Sequence, residues 1–195
     1  VPPPAQPNAK AAFRLNTGRI RDQWHTMTRS GKSPRLSTHL AEPFLELNPA
    51  DAARLDLMPA DLVALENPLG WAILRVLVTD RVASGQPFAP IHWTGETAPS
   101  GRIDALVAAN PDPVSGQPDS KAATVQLRKF VPRWYGFAVS ATDFRPDCDY
   151  WAKARTAGGW RAELAGQLIP ADWLVQARDL FGLPPCGGLT LRIPL

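Results

Sequence analysis

Cysteine is nearly missing: Cys148 and Cys186 are the only two in 195 residues. No CxxC pair and no Cys/His ligand spacing occurs, so neither a disulfide framework nor a zinc site is expected. Histidine is equally sparse. His25, His39 and His92 lie in three separate stretches, so a metal site would need all three to converge. No apolar run approaches the roughly 20 residues of a membrane span, and no membrane partner is expected. Walker, dinucleotide-glycine and Gly-x-Ser-x-Gly patterns are missing too, which removes the usual signals of phosphate-loop, dinucleotide and serine-nucleophile chemistry. Charge of one sign is not concentrated either. The 21 Lys and Arg against 18 Asp and Glu leave a formal +3, with basic residues scattered rather than run together, so no nucleic-acid partner is indicated.

What is present is proline. The 21 prolines exceed the 14 glycines, which predicts a loop-rich, β-leaning fold with few long helices. The length suits one domain, or one domain with an appendage. "VPPPAQP" at the start reads as part of a linker over residues 1–12, and a chain opening on Val1 without a signal peptide reads as a piece of a longer polypeptide.

Along the chain, "AAFRLNTGR" predicts a strand that ends at Asn16-Thr17-Gly18, with a polar loop continuing to about Ser37. "EPFLELNPADAARLDL" predicts a strand and a short helix, with Asn48 as N-cap and Pro49 in first position. A hairpin follows around Asn67-Pro68-Leu69-Gly70, then a strand in "SGQPFAPIHW", a long loop from Thr94 to Lys121, and a strand in "ATVQLRKF". Five or six strands with short helices fit a small barrel over residues 13–131. Residues 132–195 form a separate extension holding four of the seven tryptophans, Trp134, Trp151, Trp160 and Trp173. "PADWLVQARDLFG" there predicts an amphipathic helix and "LTLRIPL" a strand, giving a small α/β appendage packed on the barrel.

Two loops carry the candidate chemistry. In "NTGRIRDQWHTMTRSG" (16–31), Thr-Gly-Arg at a strand end can present backbone N–H groups and a guanidinium to a phosphate. Thr26, Thr28 and Ser30 alternate with Met27 and Arg29, so their hydroxyls would line one side of an extended segment. His25, a lone histidine beside a tryptophan, reads as a packed, hydrogen-bonded residue rather than a base or ligand. In "NPDPVSGQPDSK" (110–121), turn residues are positioned to bond their own backbone, and the terminal lysine offers an aimed point charge. No catalytic acid/base pair has a recognisable setting.

Together, "TGRIRDQWHTMTRSG", the intervening strands and "DPVSGQPDSK" resemble the C-terminal molybdopterin-dinucleotide-binding domain of the bis-molybdopterin-guanine-dinucleotide oxidoreductases. The resemblance covers roughly residues 13–130. "RDQWHTMTRSGK" and "DPVSGQP" resemble the assimilatory nitrate reductases most, and "RWYGFAVS" and "GGWRAELAG" resemble the extension that follows the domain in those enzymes.

The resemblance implies a mainly β fold, a double-psi β-barrel that covers the cofactor while the remaining domains of a parent enzyme hold it from below. It implies contacts from Thr17, Gly18, Arg19, Gln23, Trp24, His25 and Thr26, with Thr28 and Arg29 at the pterin end. Two isolated contacts map to Asp104 and Lys121, and a tunnel-facing aromatic to Trp93. The family pattern at Asp104 is often asparagine, and a carboxylate only accepts hydrogen bonds where an amide does both. The implied cofactor is molybdenum-bis-molybdopterin guanine dinucleotide. The implied parent is a cytoplasmic nitrate reductase that turns nitrate into nitrite by oxygen-atom transfer at molybdenum. Its metal ligand and iron–sulfur cysteines have no counterpart here, so this chain alone is expected to be inactive. A formate dehydrogenase or related enzyme is the alternative parent, and a stand-alone nucleic-acid- or protein-binding barrel the alternative class.

Overall fold

A computed structural model describes residues 12–121, 123–168 and 189–192. Strict alternation builds its first strand, β1 (Ala12–Gly18). Phe13, Leu15 and Thr17 are buried there while Arg14 and Asn16 face outward, the period of two that a half-buried strand requires. After β1, a 3-10 turn (Ser30–Lys32) and one helical turn, α1 (Pro34–Ser37), lead into β2 (Phe44–Leu47). Helix α2 (Pro49–Arg54) starts as its sequence prescribes: the Asn48 side chain accepts from Ala50 N at 3.0 Å, with Pro49 next to it. The hairpin joins β3 (Leu62–Asn67) to β4 (Gly70–Val78). The Asn67 side-chain oxygen, Oδ1, accepts from Leu69 N and Gly70 N, closing the turn from within.

With β5 (Phe88–Pro90) and β6 (Ala123–Phe130), these strands form a closed six-stranded barrel in the order β1-β5-β2-β4-β3-β6. The expected mainly β barrel is therefore present. Its interior is aliphatic: Leu15, Leu45, Leu47, Val63, Leu65, Leu74 and Val125 make one buried cluster. Each fully buried leucine contributes about 2 kcal/mol relative to an exposed one.

Topology decides where the two loops end up. β1 and β5 run parallel, with Gly18 opposite Pro90, so the chain leaves both strands at the same end of the barrel. β6 is antiparallel to β1, with Ala123 opposite Leu15, so the chain enters β6 at that same end. The 19–31 loop, the 91–93 segment and Lys121 thus meet at one mouth.

The 94–121 loop is more ordered than its composition suggests. Two 3-10 turns, Pro99–Gly101 and Ile103–Leu106, lie within it. Ile103 and Leu106, three apart on one side of a turn, join the barrel core.

The described elements of the extension are strands: β7 (Trp134–Ser140), β8 (Tyr150–Thr156), β9 (Gly159–Gly166) and β10 (Leu189–Arg192) form an antiparallel sheet ordered β10-β7-β9-β8. The amphipathic helix expected from "PADWLVQARDLFG", with Trp173, lies outside the described residues, as does nearly all of the 1–12 segment; Ala12 already belongs to β1. The sheet is sewn to the barrel by a buried cluster in which Tyr150 and Ala152 pack with Phe44, Leu62 and Ile73. At its centre the fully buried Tyr150 hydroxyl donates to Glu42 Oε2 at 2.7 Å, and Arg75 Nη2 on β4 donates to the same oxygen at 2.6 Å. Burial, reinforced by the Glu42 charge, pushes the Tyr150 phenol well above its ordinary pKa, so it stays a donor.

Candidate functional site at the barrel mouth

The two loops are locked at the point where they meet. The Lys121 ammonium donates to the Thr17 carbonyl, and the Thr17 hydroxyl donates to the Ser120 carbonyl. Thr17 is buried, so its hydroxyl serves this lock and does not face a ligand. Gly18 permits the approach: a Cβ there would stand 2.8 Å from the Phe88 ring and 3.7 Å from Lys121 Nζ. One of the three Lys121 protons is spent on Thr17, leaving two for another acceptor.

Beyond Gly18 the chain coils into consecutive turns rather than the extended segment expected. Met27 N donates to Trp24 O and Gly31 N to Met27 O, while His25 (φ 45) and Met27 (φ 61) adopt left-handed backbone conformations. The coil breaks the alternation of hydroxyls: Met27 turns inward and is buried, Thr26 and Thr28 remain exposed, and Ser30 is used internally. Ser30 Oγ accepts from Trp24 N at 3.0 Å and donates to Gln23 Oε1 at 2.7 Å, so the buried Gln23 braces the coil.

The outward side is aromatic and cationic. Arg19 lies 5.1 Å from the exposed Trp24 ring, and Trp24 meets His25 edge-on at 4.6 Å. Asp22 is the loop's one carboxylate, and Arg21 (2.9 Å) and His39 (2.6 Å) both hold it, lowering its pKa. Among the described residues, Arg19, Arg29 and Lys32 have no carboxylate partner.

The packed histidine of the mouth is not the one expected. His25 is exposed, and the packed, hydrogen-bonded imidazole is that of His92, with none of its surface exposed. His92 Nε2 accepts from Ile20 N at 2.9 Å, and Nδ1 donates to the His25 carbonyl at 2.6 Å. Sequence reading left His92 without a role; its place directly after β5, in "PIHW", is the only signal, and the parallel β1–β5 pairing gives that signal meaning. Burial holds its pKa below the ordinary value, and the nearby Arg19 charge acts in the same direction.

Trp93, expected to face a tunnel, is 4% exposed and packs edge-on against Phe44 with centroids 6.5 Å apart. It still borders a cavity of about 130 Å³, together with Gln23, Thr26, Thr28 and Lys153. Asp104 has another setting. It sits on the Ile103–Leu106 turn, bonded to Arg102 at 2.6 Å, and among the described residues no hydrogen bond or ion pair ties it to the 17–29 loop. The 110–121 loop is self-contained, as its turn residues predict. Asp112 Oδ1 accepts from Val114 N, Ser115 N and Ser115 Oγ, Pro111 bridges to Pro118, and Gly116 takes φ +69.

The mouth of the closed barrel thus gathers exposed hydroxyls, an exposed indole and cations that have no carboxylate partner among the described residues, a chemistry suited to a polar, anionic ligand. Residues 13–124 match the Molydopterin dinucleotide binding domain, and the chain belongs to that family. The Nitrate reductase of Klebsiella oxytoca is 39% identical over 179 residues, which is 90% of this chain and 21% of that protein. The F420-dependent formate dehydrogenase subunit alpha of Methanocaldococcus jannaschii is 33% identical over 87 residues, 45% of this chain and 13% of that protein. Acetylene Hydratase from Pelobacter acetylenicus shares the fold, with a TM-score of 0.50 at 17% identity over 60% of this chain and 18% of that one. The chain thus spans about a fifth or less of the length of these relatives.

Proposed function

We propose that this domain closes over the molybdenum-bound pterin guanine dinucleotides of a nitrate reductase whose other domains hold the cofactor from the opposite side. The observation that carries the reading is that Arg19 and Arg29, without carboxylate partners among the described residues, lie on the loop that leaves β1 at the mouth where Lys121 bonds Thr17. The ligand's pyrophosphates call for such charges: a guanidinium binds phosphate oxygens in a bidentate fork, and an ammonium acts as an aimed point charge. Thr26 and Thr28 supply hydroxyls for ring edges, and Trp24 and His25 supply flat apolar faces beside them. Thr17, Gly18 and Gln23 act indirectly, by fixing Lys121 and the coil. Trp93 forms a wall of the adjacent cavity. Asp104 takes part by accepting from an N–H edge of guanine or pterin, in exchange for its exposed bond to Arg102.

When bound, the molybdenum centre supplies oxygen-atom transfer, the reaction that converts nitrate to nitrite. This chain's residues contribute binding and orientation, and hydrogen bonds to the pterin influence the metal through it. The metal ligand and iron–sulfur cysteines belong to the rest of the parent, so the 195 residues alone reduce no nitrate. The compartment proposed for that parent is the cytoplasm. The similarity to a formate dehydrogenase supports a second reading, in which the same clamp serves formate oxidation. Assaying the parent with nitrate and with formate separates the two. The clamp itself is tested by Arg19→Ala with Lys121→Ala in the parent: molybdenum and guanine content fall, whereas wild-type content of both would refute the assignment.

A further inference from the structure

The coil from Ile20 to His25 carries Trp24 and His25 to the mouth, yet neither end of it is held by a strand ladder. Both ends bond instead to one buried side chain. Ile20 N donates to His92 Nε2 and the His25 carbonyl accepts from His92 Nδ1. The two bonds need opposite characters from the two ring nitrogens, which only the neutral imidazole protonated at Nδ1 provides. The constraint is not idle, because His25 sits at φ 45, a conformation that persists only where surroundings over-determine it.

We propose that His92 is a positioning residue for the cofactor-facing loop, clamping Ile20 and His25 from beneath so that Arg19, Trp24 and His25 are presented in one fixed arrangement. The inference rests on the reading that this mouth receives the dinucleotide, and it adds a residue that no contact with the ligand would reveal. It also implies dependence on pH. Protonation would place a second N–H on Nε2, facing the Ile20 N–H, and would open the clamp. The titratable groups facing the ring are Arg19 and His25; burial and the Arg19 charge disfavour its protonation, against the bond to the His25 carbonyl, which favours it. The clamp is therefore closed at neutral pH and opens on acidification.

The test uses the full parent enzyme and three variants that divide the two bonds. His92→Gln keeps an acceptor near Nε2, His92→Asn keeps a donor near Nδ1, and His92→Phe keeps only bulk. Hydrogen exchange at the Ile20 amide is expected to stay slow in wild type and His92→Gln, and to quicken at least tenfold in His92→Asn and His92→Phe. Molybdenum and guanine content should drop severalfold in His92→Phe, with His92→Gln restoring most of it. Wild type should lose Ile20 protection, measured against the intrinsic exchange rate, as pH falls below the ordinary histidine value near 6.5, while His92→Gln stays level. Unchanged cofactor content in a folded His92→Phe, with Ile20 exchanging fast, would overturn the positioning role. If Arg19→Ala with Lys121→Ala still depletes cofactor in that event, the inference alone has failed; if it does not, the underlying reading has failed as well.

Discussion

The two loops at the barrel mouth reach order by opposite routes. The 110–121 loop satisfies itself: Asp112 gathers Val114 N, Ser115 N and Ser115 Oγ, and its only described ties to the 17–31 loop run through Ser120 and Lys121 to Thr17. The 19–31 loop leaves its cations and two of its hydroxyls outward and depends on His92 from below. The side chains that such a loop turns outward cannot also hold its backbone, so its order comes from the inward-facing Gln23 and Ser30 and from His92 elsewhere in the chain.

The comparison can be broken most forcefully where the loops join. Replacing Gly18 by alanine puts a Cβ 2.8 Å from the Phe88 ring. The strain should remove about 1–3 kcal/mol of stability and shift Lys121, so denaturant midpoint and cofactor content should fall together. A midpoint at the wild-type value would show that the junction yields freely.

Acidification should release the loops in separate windows. His92 has its pKa lowered by burial, so its contribution is complete above its ordinary value near 6.5 and is lost as pH falls below it. The pKa of Asp112 is lowered by its bonds to Ser115 and Val114, so its contribution persists down to its ordinary value near 3.8 and fades only below. As pH falls below about 6.5 toward 4, the amide protection factor should therefore drop at Ile20 and hold at Val114 and Ser115. Simultaneous release of all three would mean the loops are not independent.

A smaller effect isolates the self-contained loop. Gly116→Ala meets no atom within 4 Å but forces a side chain into φ +69, which costs about 1 kcal/mol. Urea unfolding should register that loss while exchange at Ile20 stays as in wild type. Smallest of all is Asp112→Asn, whose amide oxygen can still accept the Val114 and Ser115 bonds. Exchange at those two amides should rise slightly, with the unfolding midpoint nearly unmoved.

The barrel was legible because its signals are local. Alternation in β1, the Asn48 cap and the Asn67 turn each act within a few residues, and each appears where the sequence places it. The extension was not. β8 buries five residues in succession, including Lys153, whose ammonium donates to Asp143 and the Phe144 carbonyl, so no alternation marks it as a strand. The site divided in the same way. Residue types at the mouth could be read from the sequence, but the coil's turns and the packing of His92 beneath them depend on β1 lying parallel to β5, a pairing some 70 positions apart.

The mouth is proposed to cover the anionic part of the dinucleotide. A structure of the parent enzyme with its cofactor tests it most directly, through the distances from the Arg19 guanidinium and the Lys121 ammonium to the nearest phosphate oxygens. Charge-assisted hydrogen bonds of about 2.7–2.9 Å from both residues are predicted, with Thr26 and Thr28 beside the rings. A cofactor seated away from this end of the barrel, with both cations facing solvent, would contradict the account.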